Sequence, residues 1–395
     1  MSDPDPVYVD RPSALERLVD ILLDEPAIAL DTEANSMFAF RERTCLVQVA
    51  TARRTFLVDP LAPLDLRPLA PVLADPAIVK VLHGAEFDVL MLKRAGPFEI
   101  AGLFDTRVAA ASLGLGSSSL AALVSDVVGV ELDKRYQRSD WGERPLSSGQ
   151  RRYAAQDVCH LLEVADVLRD RLHSAGFPHP EEVAAECRRI EALEPSPAEP
   201  LEDRWARIKG STGLDGLGRR TLAVLDRWRQ EAAKRRDVPP FKVLGNDVLL
   251  RLAAERPRSG REVAAMLPQR LASRLTDRIL DLLDDAEDLG PLPRPRPAPR
   301  ADRLPPEAAA RHERLKAARR REAERRKTDP TLVLPKASME SLACAKPAPR
   351  SIEDLGRLGL LERWRIENAG DWILEALGGD RGKKGDRDVR RPRGR

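Results

Sequence analysis

The chain has 395 residues, 42% hydrophobic and 33% charged, a composition of folded, helix-rich proteins and a length too great for one hydrophobic core. A net charge of +3 conceals a division, since residues 1–180 carry 19 Lys and Arg against 26 Asp and Glu, leaving 47 against 37 for the remainder. No run of about 18 apolar residues is present, and MSDPDPVYVD lacks the basic start and apolar stretch of a signal peptide, so a membrane protein is excluded and a cytoplasmic one expected.

Along the chain, AIALDTEA, TCLVQVA and RRTFLVD read as three successive strands of a meander, bounded by polar breaks. IVKVLHG is a further strand that feeds directly into the helix AEFDVLMLKRAG, and FEIAGLFDT is another strand. TRVAAASLGLG, SSLAALVSDVVGV and SGQRRYAAQDVCHLLEVADVLRDRLHSAG then carry apolar residues at helical spacing. This predicts an α/β domain over residues 1–190, a mixed sheet flanked by helices. The Pro- and acid-rich stretch 191–203 is a linker, residues 204–288 a first all-α module, and the Pro/Arg-rich stretch 289–310 a second linker. Residues 311–380 form a second helical module, and 381–395 a basic tail expected to be disordered. The two modules look like a repeat, because FKVLGNDVLLRLA and TLVLPKASMESLA match in length and apolar pattern and each follows a basic helix.

The four cysteines and five histidines show neither CxxC nor HExxH spacing, which argues against zinc and leaves Cys45, Cys159, Cys187 and Cys344 as packing residues. The acids are more informative. Asp31 and Glu33 close a strand two residues apart and so project from one face, although such a pair also fits turn-forming acids. Asp88 lies in the first turn of a helix entered straight from a strand, where the helix N-terminus alone would favour it. Asp157 shares a helix face with Tyr153, one turn earlier, and has Arg152 as an alternative partner. Carboxylates from three separated segments are what two divalent cations about 4 Å apart require, since Mg²⁺ and Mn²⁺ take oxygen ligands.

LDTEANS, VLHGAEFDVLMLKR and YAAQDVCHLLEV, in this order, resemble the three exonuclease motifs of the DEDD superfamily. Tyr153, four residues before Asp157, places the chain in the tyrosine subclass, and LDKRYQRSDWGERPLSSGQRRYAAQD is similar to the ribonuclease D branch. The segment WRQEAAKRRDVPPFKVLGNDVLLRLA resembles an HRDC module, one or two of which occur in that family. The resemblance implies a ribonuclease H-like mixed sheet followed by HRDC-type helical domains, and a 3′-5′ exoribonuclease releasing 5′-mononucleotides. It further implies that Asp31, Glu33, Asp88 and Asp157 hold two Mg²⁺ or Mn²⁺ ions, that Tyr153 orients the attacking water, and that structured RNA precursors such as tRNA are substrates. One feature departs from the family pattern: QRLASRLTDRILDLL has no glycine between the last two helices of the first module.

Further candidates for contacts to RNA are Gln48, His83, Lys134, Arg138, Trp141 and Arg144, with Phe38 and Phe40 in the loop after Glu33 as base-stacking candidates. His83 and Trp141 fit packing roles equally well. The protein is expected to act as a monomer. Two rival functions are a proofreading-type DNA exonuclease, which the same acids would serve, and a non-catalytic RNA-binding scaffold.

Overall fold

The computed structural model describes residues 5–116, 118–196, 201–293 and 304–378, those at 201–203 by backbone alone. The expected tail at 381–395 and parts of both linkers, 197–200 and 294–303, lie outside the described residues.

A six-stranded mixed sheet runs in the order β1-β4-β3-β2-β5-β6, with β1 at Val7–Val9, β2 at Ala27–Ala34, β3 at Thr44–Ala50, β4 at Thr55–Val58, β5 at Val79–Leu82 and β6 at Leu103–Asp105. The meander read from sequence is antiparallel β2-β3-β4, while β5 joins β2 in parallel. Every residue of β3 is buried, as suits a central strand covered on both faces. Strand β1, pairing parallel to β4, was not expected. It is three residues long and carries no alternation from which a strand is read.

Helices α1 (Pro12–Leu23), α2 (Ala70–Ala74), α3 (Glu86–Ala95), α4 (Thr106–Ser112) and α5 (Leu120–Val128) are followed by α6 (Ser148–Cys159), α7 (Leu161–Ala175) and α8 (His179–Glu191). The long helix expected from Ser148 onward is broken at His160, whose φ of −105° and ψ of −4° separate α6 from α7. The first helical module comprises α9 (Gly216–Arg236), α10 (Pro240–Val243), α11 (Asn246–Glu255), α12 (Gly260–Met266) and α13 (Gln269–Asp288). The second comprises α14 (Pro306–Arg326), α15 (Pro330–Val333), α16 (Lys336–Cys344), α17 (Ile352–Leu358) and α18 (Arg363–Leu377).

The repeat extends to individual atoms, at an offset of 90 residues through the long helix and the turn after it and of 92 residues at the following capping box. Arg229 Nη1 donates to the Leu244 carbonyl at 3.0 Å and Arg319 Nη1 to the Leu334 carbonyl at 3.1 Å. The long helix of each module ends in a left-handed residue, Asp237 (φ 45°) and Lys327 (φ 53°). Each module also starts a short helix with a capping box, Ser259 with Glu262 and Ser351 with Asp354. The glycine absent from the first module is replaced by Leu267–Pro268, whose proline precedes α13, whereas the second module uses Gly359 at φ +62°.

Two compact units interleave along the chain rather than following its order. One takes the chain up to Leu103, Leu132–Leu162 and the first helical module. Its helical core gathers Leu222, Leu225, Leu249, Leu252 and Ile279, and Phe40 packs against it. The other takes Phe104–Glu131, Glu163–Ile190 and the second module. There Arg326 at the end of α14 makes a two-pronged ion pair with Glu182 of α8, both contacts at 2.6 Å and the Glu182 side chain fully buried. Of the cysteines, Cys45 and Cys187 are buried as expected, but Cys344 is exposed.

Candidate active site

Asp31 and Glu33 leave the same face of β2, and α6 lies over that face and over its neighbour β3. The helix is started by a capping box between Ser147 and Gln150. Its first turn passes Tyr136 so closely that a Cβ on Gly149 would lie 2.1 Å from the Tyr136 hydroxyl, so any larger residue there would displace the Tyr136 side chain. Two turns on, Asp157 points back at β2. One carboxylate oxygen from each of Asp31, Glu33 and Asp157 lies within 4.8 Å of the others, the one group of three or more potential metal ligands among the described residues.

Burial comes first in raising all three acids above the ordinary carboxylate range, and repulsion from neighbouring acids adds to it for Asp31 and Glu33. Asp31 is well above that range through burial, then Asp88, Asp157 and Glu33. Glu33 is pushed up to about 9 by burial, Asp157 and Asp88. Asp157 is pushed up to about 7 by burial, against the opposing pull of a hydrogen bond from Tyr153. The Tyr153 phenol is itself raised by burial and by the three acids, which favours its protonated, donating form. Such a cluster of oxygen donors, costly to ionise together, fits hard divalent cations.

Asp88 comes from the first turn of α3 and is 6% exposed. Its Oδ1 accepts from both the Thr32 amide at 3.0 Å and the Thr32 hydroxyl at 2.6 Å. Thr32 is the residue between Asp31 and Glu33, so one short stretch of strand holds three of the acids. No sequence signal beyond its position inside the DxE motif marks Thr32.

The other sequence candidates fall in different surroundings. Gln48 is fully buried on β3 directly opposite Asp31. His83 is half-buried between β5 and α3. Lys134 and Arg138 are exposed in the loop before α6. Two candidates are occupied elsewhere. Trp141 is 2% exposed and packs its ring 5.9 Å from that of Tyr153, a core position rather than a surface for RNA. Arg144 forks onto Asp59, Nε to Oδ2 and Nη2 to Oδ1 at 2.7 Å each, and also donates to the Cys45 carbonyl, so its guanidinium fastens the loop to the sheet. Phe38 and Phe40 meet the first helical module. Lys242 Nζ sits 4.5 Å from the centre of the Phe38 ring, and the Phe40 amide donates to Asp237 at 3.2 Å.

Fold and site define a carboxylate-based nuclease domain followed by paired helical modules, and comparison with known proteins makes the class specific. Residues 6–173 match the family described as 3′-5′ exonuclease, and residues 219–283 and 308–377 each match the HRDC domain. Over 359 residues the chain is 34% identical to ribonuclease D of Pseudomonas paraeruginosa, spanning 89% of this chain and 92% of that protein. The structure is similar to that of Escherichia coli RNase D, an exoribonuclease involved in structured RNA processing, with a TM-score of 0.63 and 25% identity over 94% of this chain and 98% of that one. It is also similar to the catalytic core of RRP6 from Trypanosoma brucei, with a TM-score of 0.63 and 31% identity over 73% and 81% of the two chains. The chain belongs to the ribonuclease D family. It is a 3′-5′ exoribonuclease, dependent on divalent metal.

Proposed function

We propose that the protein trims the 3′ ends of structured RNA precursors such as tRNA, as a cytoplasmic monomer, releasing 5′-mononucleotides with the help of two divalent cations, Mg²⁺ or Mn²⁺. The observation that carries this reading is the convergence of Asp31, Glu33 and Asp157 oxygens within 4.8 Å. These three acids and Asp88 would hold the cations, which when bound supply a readily ionised water and positive charge for the leaving 3′ oxygen. Tyr153, whose hydroxyl bonds Asp157, would orient that water. Exposed Lys134 and Arg138 lie in the loop before α6, where contact with backbone phosphates would guide the strand without reading its sequence. His83, at the strand-to-helix turn before Asp88, is the remaining candidate for contact with the terminal nucleotide.

A time course on RNA carrying a labelled duplex and a 3′ overhang, run with Mg²⁺, with Mn²⁺ and with EDTA, tests the reading. Stepwise loss of single nucleotides from the 3′ end that stops at the duplex and is abolished by EDTA is expected. Release of oligonucleotides, or undiminished cleavage in EDTA, refutes it. Matched DNA in parallel separates an RNA enzyme from one indifferent to the 2′-hydroxyl.

A further inference from the structure

The last turn of the long helix carries its charge differently in the two helical modules. In the second, Arg326 is spent on Glu182, Arg325 pairs with Glu322 at 2.6 Å and Glu324 with Arg320 at 3.1 Å. The residues 90 positions earlier, Lys234, Arg235 and Arg236, close α9 and are all exposed. Their side chains make no hydrogen bond or ion pair among the described residues. Basic residues favour any helix C-terminus, but α14 meets that preference with its charges paired. Three adjacent unpaired cations in α9 leave room for an anion from outside the module.

That turn stands close to where the acid-bearing strand ends. β2 carries Asp31 and Glu33, and the loop 35–43 begins two residues after Glu33. The loop folds back at once, the Phe38 and Ala39 amides both donating to the Asn35 carbonyl, at 2.8 and 2.9 Å. The Phe40 amide then donates to Asp237 Oδ1, and Lys242 Nζ lies over the Phe38 ring. Asp237 directly follows Arg236, so the basic triplet is fastened to the loop that leaves the active-site strand. Phe241, beside Lys242 in α10, is 50% exposed. Basic side chains that track a backbone and open aromatic rings on which bases stack are the two components of single-strand binding, which favours a nucleic acid over an acidic protein as the partner.

We propose that Lys234, Arg235 and Arg236 hold backbone phosphates of the RNA strand a few nucleotides to the 5′ side of the end being cut. The proposal rests on the reading that the acid cluster receives the RNA 3′ end. Contacts to phosphate carry no sequence information, so the patch makes binding depend on RNA length and on salt, without preference among bases.

The test uses the full-length protein with Lys234→Gln, Arg235→Gln and Arg236→Gln combined. Kd for a dodecamer and a trimer of uridylate is measured by fluorescence anisotropy in EDTA over a salt series. Each phosphate contact to a single strand contributes about 0.7 to the slope of log Kd against log salt, so loss of three should lower it by about 2. At about 100 mM salt the dodecamer should bind about tenfold or more weakly, and the trimer, whose backbone stops short of the patch, should lose less. Arg235→Lys with Arg236→Lys keeps the charges and should bind the dodecamer within about twofold of the unsubstituted protein. An unchanged slope overturns the proposal, as does an equal loss for trimer and dodecamer. A lysine variant as weak as the glutamine variant also overturns it, since the side chains would then be acting through the fold rather than through their charge. If the unsubstituted protein with Mg²⁺ removes no nucleotide from the 3′ end of the dodecamer, the reading of the acid cluster falls and the proposal with it. If trimming proceeds and the slope is unchanged, the proposal alone fails.

Discussion

Thr32 and Asp88 are bound to one another twice, by the Thr32 amide and by its hydroxyl, both onto Asp88 Oδ1. The strand thus presents Asp31 and Glu33 on one face and holds the helix-borne carboxylate by the residue between them. Thr32→Val keeps the shape and the amide bond but removes the hydroxyl bond, a contact to a carboxyl group worth about 1.5–3 kcal/mol if Asp88 is ionised. A fall in kcat of about tenfold is expected, from a misplaced cation ligand. Thr32→Ser should recover most of that loss. Equal kcat in Thr32→Val and the unsubstituted enzyme, on a single-stranded RNA under saturating Mg²⁺, would show that Asp88 needs no such anchor.

Asp31→Asn separates catalysis from binding. It removes a charge from the acid cluster while leaving the basic residues of both helical modules intact, and on the proposed reading those would supply the salt-dependent attraction for phosphates. Cleavage should become undetectable while the Kd for a 3′-overhang RNA stays within a few fold. A large loss of affinity, measured by fluorescence anisotropy at fixed salt, would place RNA binding chiefly at the acids instead.

The parts of this molecule that follow local patterns were legible in the sequence, and those made by long-range contacts were not. Strands β2 to β5 announce themselves by apolar runs, and the helical repeat by matching segments. By contrast, the fate of Arg144 depends on Asp59, 85 residues away, and nothing near either residue signals the pair. A guanidinium read as a phosphate contact is spent inside the protein. The site shows the same division. Asp31, Glu33, Asp88 and Asp157 stood out as acids at strand ends or on an apolar helix, but Thr32 looked like a spacer, and Gln48, read as a contact to RNA, lies fully buried opposite Asp31.

The ion pair between Arg326 and Glu182 ties the start of α8 to the end of the second module's long helix. The Glu182 side chain is 0% and that of Arg326 8% exposed, and Ser112 also donates to the same carboxylate at 2.9 Å. Removing one partner of so buried a pair leaves an uncompensated charge, so Arg326→Met should cost about 3–5 kcal/mol in denaturant unfolding of the transition that reports this unit. Adding Glu182→Leu to it should restore part of the loss, since both desolvated charges are then gone. A double variant less stable than Arg326→Met alone would show that Glu182 is held mainly by other contacts.

Asp59 sets the acid limit of stability near the site. Burial alone would raise its carboxyl, but hydrogen bonds from Arg144, from the Tyr8 hydroxyl at 2.6 Å and from the Leu61 amide at 2.9 Å outweigh burial and hold it below the ordinary range. A group lowered in the folded state binds its proton less tightly there than in the unfolded chain. Its stabilising contribution is therefore complete above the unfolded carboxylate value of about 3.9 and is lost as pH falls through the lower folded value. Asp59→Asn should cost about 3 kcal/mol at pH 7, the scale for breaking a largely buried pair. The stability gap between it and the unsubstituted protein should stay flat from about pH 7 to pH 5 and shrink below about pH 4. Arg144→Lys should show a similar loss at pH 7 without raising KM for RNA. A raised KM at unchanged stability would return Arg144 to the role of a phosphate contact, and a gap that widens toward acid would reverse the sign assigned to Asp59.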